Sequence, residues 1–156
     1  MTQLKYKITY IIALLLITLN FITPSQSKEI TMAATGKFKV TLASQTDEIA
    51  SVGRMLIHKE YQGALQGIGS GQMLSKRTNQ NTAAYVAIEE FSGTLDGKKG
   101  SFTLIHQGVM SPQAQQLTIT ILSGSGSDEL VNIKGELSIT QQNDEHSYVL
   151  EYHFVD

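Results

Sequence analysis

Cysteine is missing from this 156-residue chain. That excludes disulfides, metal sites built on thiolates and an N-terminal anchor on a lipidated cysteine. Proline is scarce as well, with only Pro24 and Pro112. The basic residues form no patch that would hold nucleic acid. His58, His106, His146 and His153 show no His-x-x-x-His or similar spacing, so no metal site is predicted. Gly124-Ser-Gly-Ser lacks the Gly-Lys-Ser/Thr ending of a phosphate loop and reads as a turn. Ser51, Ser75 and Ser101 have no nucleophile-elbow context. No motif names a reaction or a cofactor, and whether the protein is an enzyme stays open at this level.

The N-terminus carries a different signal. Lys5 and Lys7 precede an apolar run from Ile8 to Ile22, followed by Pro24-Ser-Gln-Ser27. A positive start, an apolar middle and small residues at the minus-three and minus-one positions describe a secretory signal peptide over residues 1–27. The apolar run is shorter than the roughly 20 residues that span a bilayer. Cleavage after Ser27 would leave one domain, residues 28–156, in the periplasm or outside the cell, with no further membrane association. Losing Lys5 and Lys7 leaves 10 basic against 14 acidic residues, so the formal charge moves from −2 to −4.

Within residues 28–156, glycines punctuate runs in which apolar and polar residues alternate, the period of half-buried strands. Phe38, Val40 and Leu42 mark the first strand, and Met55, Ile57 and Tyr61 the second. Further strands follow at about Ser70–Arg77, Tyr85–Leu95, Gly100–Met110, around Leu117, Ile119 and Ile121, around Gly135, Leu137 and Ile139, and at His146–Phe154. A short helical turn is expected in the segment that ends at Leu130. No long amphipathic helix interrupts the series. Eight antiparallel strands with short connections predict an all-β, closed eight-stranded antiparallel barrel, with a two-sheet sandwich as the alternative.

One motif occurs twice. Glu60-Tyr-Gln-Gly-Ala-Leu-Gln-Gly67 returns as Glu90-Phe-Ser-Gly-Thr-Leu-Asp-Gly97, which suggests a hairpin used in duplicate. An even loop at Asp96–Lys99 would pair Leu95 with Gly100, Gly93 with Phe102, Phe91 with Leu104, Tyr85 with Met110 and Glu89 with His106. The apolar set then shares one face. The thirty-residue offset puts Lys59 on the inner face where the second copy has Glu89. At the last hairpin, a two-residue Asn143-Asp144 loop sets Ile139 opposite Tyr148, Leu137 opposite Leu150 and Gly135 opposite Tyr152. The candidate ligand-binding residues are therefore Lys59, Glu89, His106, His146, Tyr148 and Tyr152. Ionisable groups in a low-dielectric lumen are costly alone, so Lys59, Glu89 and His106 are expected to pair.

Ala84-Tyr-Val-Ala-Ile-Glu89, Gly93-Thr-Leu-Asp-Gly97, Gly100-Ser-Phe-Thr-Leu-Ile-His106-Gln-Gly108, Gly124-Ser-Gly-Ser-Asp-Glu-Leu130 and His146-Ser-Tyr-Val-Leu-Glu-Tyr152 resemble the bacterial domain of unknown function family 3224. The likeness covers nearly all of residues 28–156. It implies an allene oxide cyclase-like, lipocalin-shaped barrel, and Lys59, Glu89, His106, His146 and Tyr148 match the family's pattern. It brings no activity with it. Gln72 stands where an acidic residue is expected, and the signal peptide is unlike typical members. Three functions remain: a barrel that binds a small, largely apolar molecule, an isomerase or cyclase using the same polar groups, and a packed barrel that acts through its surface or as an oligomer.

Overall fold

The structure, a computed structural model, describes residues 30–46 and 51–156. The expected signal peptide lies outside the described residues. Eight strands follow one another: β1 (Met32–Gln45), β2 (Gly53–Gly63), β3 (Leu65–Arg77), β4 (Ala83–Leu95), β5 (Lys98–Met110), β6 (Gln115–Ile121), β7 (Ile133–Gln142) and β8 (Glu145–Phe154). Each is antiparallel to the next, and β8 returns to β1, so the sheet closes into a barrel. Closure leaves no sheet edge to be satisfied by other means. Among the described residues a 3-10 turn, Asp128–Leu130, falls where a short helical turn was expected.

The register of β4 and β5 differs from the sequence expectation by two residues. Leu95 pairs with Lys98, Gly93 with Gly100, Phe91 with Phe102 and Tyr85 with Gly108. Asp96 and Gly97 close the chain as a two-residue turn with φ of 49° and 82°, the left-handed pair that matches the twist of a hairpin. A slip of two keeps every side chain on its face, because the side-chain period is two. The inward set therefore survives while its cross-strand partners change. Glu89 lies opposite Leu104, and His106 opposite Ala87. The last hairpin pairs as expected, Ile139 with Tyr148 and Leu137 with Leu150.

The two octapeptides are alike in sequence but turn at different places. The first bends at Gly63–Ala64 and enters β3 at Leu65, whereas the second stays within β4 through Leu95. The copies then meet each other, Leu65 opposite Leu95 and Gly67 opposite Gly93. The motif is thus a local repeat and not a duplicated hairpin.

One end of the barrel is packed. Leu65, Phe91, Leu95, Phe102, Leu130, Ile133 and Leu150 are fully buried there, joined by Tyr148 and Tyr152. The connection after β6 seals it. Where β6 ends, Ser125 and Ser127 present their hydroxyls to the backbone N–H groups of Thr103 and Ser101, each at 3.0 Å. Gly124-Ser-Gly-Ser is therefore a polar strap along β5. The opposite end carries the β3–β4, β5–β6 and β7–β8 turns and stays open. Leu42, expected inside, is half-exposed there because β1 runs on to the mouth.

Candidate functional site

At mid-barrel, three ionisable side chains are buried: Glu89 is 0 % exposed, His106 4 % and Lys59 5 %. Strand alternation places Lys59 and Tyr61 on the inner face of β2, Glu89 on that of β4 and His106 on that of β5. Lys59 Nζ donates to Glu89 Oε2 at 2.6 Å and to the Tyr61 hydroxyl at 3.3 Å. Tyr61 in turn donates to Glu89 Oε1 at 2.9 Å. His106 Nε2 stands 3.0 Å from Glu89 Oε2. That contact is close but poorly directed, and among the described residues Nε2 is the buried side-chain nitrogen without an aligned hydrogen bond.

Burial alone would raise the Glu89 carboxyl, but the contact with His106 and the Lys59 ammonium outweigh it and hold the group below the usual carboxylate range. Burial first, then the neighbouring Glu89 charge, pushes the Tyr61 phenol far up, so it remains a proton donor. Gly69 makes the cluster possible. A methyl group on its Cα would overlap Oε1 of Glu89, so the carboxylate occupies the volume of a missing side chain.

Above this floor the open half of the barrel encloses a cavity of about 950 Å³. Its walls are mixed, with Val40, Met55, Ile57, Met73, Leu117 and Ile139 apolar and Ser75, Gln115, Thr140 and Gln141 polar. Lys59 and His106 reach it from below, and His146 from the side, its ring tilted against that of Phe38 at 5.1 Å between ring centres. Glu89 does not line it. The Lys59 ammonium also lies 4.8 Å above the centre of the Phe38 ring, a favourable cation–π placement.

The structure thus brings together four of the six residues marked in the sequence, namely Lys59, Glu89, His106 and His146. The other two point inward at the packed end. Tyr148 accepts the backbone N–H of Leu65 at 2.7 Å, and Tyr152 donates to Asp96 Oδ2 at 2.8 Å. Both tie strands to turns and stay away from the cavity lining. The Tyr61 hydroxyl is a further polar partner that the sequence reading did not include. Its inward parity with Lys59 was the available signal, since the second copy has Phe91, without a hydroxyl, at the equivalent place. No three His, Asp or Glu side chains converge as a metal site among the described residues.

The sequence model of the family described as "Protein of unknown function (DUF3224)" matches residues 34–152. Among solved structures, the chain is similar to a protein of unknown function from that family in Shewanella oneidensis MR-1. The two share 33 % identity with a TM-score of 0.74, over 81 % of this chain and 99 % of the other. Comparison with the curated proteins finds no match.

Proposed function

The chain belongs to the DUF3224 family, and from that premise we propose that it is an exported barrel that binds a small, largely apolar molecule in its open half. The carrying observation is a cavity of about 950 Å³ with an apolar band of Val40, Met55, Ile57, Met73, Leu117 and Ile139 above a floor of Lys59 and His106. Its size falls at the upper end of the ~300–1,000 Å³ typical of small-molecule sites, and a few convergent polar groups in an apolar cleft are the usual composition of one. Lys59 Nζ has three N–H bonds and commits two of them to Glu89 and Tyr61. The third is available to an acceptor on the ligand.

Binding is favoured over acid–base turnover by the state of Glu89. Both its oxygens are engaged, it has no exposed surface, and its pKa is lowered. A general base must reach the proton that it removes, and this carboxylate is enclosed behind Lys59 and His106.

Native mass spectrometry of the protein purified from its own host tests the reading. A retained small molecule is expected, lost in Met73→Trp, which fills the cavity from one wall, and weakened in Lys59→Met. An empty wild-type protein, or a compound that persists unchanged in Met73→Trp, would overturn it. Incubation that leaves the retained compound chemically unaltered is expected, whereas its conversion would make the barrel an enzyme.

A further inference from the structure

The ionisable side chains that line the cavity among the described residues are cationic or imidazole, with one phenol, Tyr85. Among the described lining residues there is no carboxylate. Lys59, Lys76 and Arg77 are present, with His106 and His146. Lys59 is at the floor and its charge is formally matched by Glu89. Lys76 and Arg77 lie at the mouth, at the end of β3. Lys76 donates to the carbonyl of Ser51 across the β1–β2 side of the rim, which holds its ammonium at the opening and leaves two further N–H bonds free.

We propose that the cavity selects acidic amphiphiles: an apolar body fills the open half, and a carboxylate or similar anion stays at the mouth beside Lys76 and Arg77. This rests on the binding reading above and adds the ligand's charge and orientation. The reverse orientation would bury the anion beside Lys59, whose charge is already matched by the Glu89 carboxylate 2.6 Å behind it. Like charges in such a place disfavour one another strongly, and burying an ion costs more than the mouth exacts. The floor therefore suits a neutral acceptor, such as a carbonyl or hydroxyl, and the solvated mouth suits the anion.

Three probes with one tail distinguish the charge preference: decanoate, 1-decanol and decyltrimethylammonium, titrated calorimetrically into the wild type and into a Lys76→Ala/Arg77→Ala double variant. Decanoate is expected to bind the wild type roughly fivefold to tenfold more tightly than decanol, the scale of two partly exposed charge pairs. That advantage is expected to vanish in the double variant and to shrink at high salt. Both substitutions are at the exposed rim, so the barrel itself is retained. Equal affinity for decanol, tighter binding of decyltrimethylammonium, or a preference for decanoate that persists in the double variant would overturn the inference. If none of the three binds while the protein still retains a host compound, the charge inference falls and the binding reading stands. If neither probe nor host compound binds, both fall.

Discussion

A lysine, a glutamate and a histidine share one dry layer of this barrel, and each is tolerable only because of the others. Removing one partner of a buried ion pair costs about 3–5 kcal/mol, since the other charge is left unmatched. Lys59→Met is therefore expected to lower the urea-unfolding free energy by about that amount at neutral pH. Lys59→Met combined with Glu89→Leu is expected to recover most of the loss, leaving the cost of the unpaired Tyr61 hydroxyl, about 1–3 kcal/mol. If the double variant were as unstable as the single one, the pair would not be the source. Acid sensitivity follows from the same group. The folded pKa of Glu89 is below its ordinary 4.5, so the unfolded chain takes up the proton first. Its contribution is present above about pH 4.5 and is lost as the pH falls beneath that value. Glu89→Gln is expected to flatten that acid limb in a pH series of thermal melts. Gly69→Ala should reproduce part of the Lys59→Met effect, because a methyl group there displaces the carboxylate.

At the scale of elements, the turns and seams decide how firmly this layer is held. The Asp96–Gly97 turn fixes the β4–β5 register, and Asp96 also accepts the Tyr152 hydroxyl. Burial, then that bond to Asp96, pushes the Tyr152 phenol up to about 12 from 10.0. The sign is opposite to that of Glu89: the stabilisation is complete below pH 10 and is lost as the pH rises toward about 12. Asp96→Asn is expected to shift the alkaline unfolding midpoint toward lower pH relative to the wild type, followed by circular dichroism. An unchanged midpoint would show that Asp96 is not involved. The weak element is the β6–β7 seam, where Thr120 opposite Glu136 is the pair that joins the two strands among the described residues. Gln115 and Leu117 on β6, and Ile139 on β7, line the cavity beside that seam. Hydrogen exchange is expected to be fastest, among the strand amides, along this side of the mouth. Slower exchange there than in β4 and β5 would contradict it.

The whole molecule is divided along its axis into a packed half and an open half. The sequence carried the strand count, the alternation and the inward parity of Lys59, Glu89 and His106, because side-chain direction along a strand is local and repeats every two residues. Export belongs to this scale as well: protein recovered from the periplasm or medium is expected to show an intact mass that begins at Lys28, and a mass that begins at Met1 would remove the signal-peptide reading. What parity could not supply was depth. Tyr148 and Tyr152 share the inward face with His146, yet they close the packed end while His146 borders the cavity. Lys59 and Glu89 meet because β2 and β4 each pair with β3 in one particular register, and His106 joins them although its opposite residue is Ala87. The sequence by itself determined which residues point inward, since that depends only on neighbours along the strand. Their height in the barrel, and so their membership of core or cavity, was decided only by the tertiary structure. Height is set jointly by turn lengths, strand stagger and closure of β8 on β1, and no short stretch of sequence contains all three.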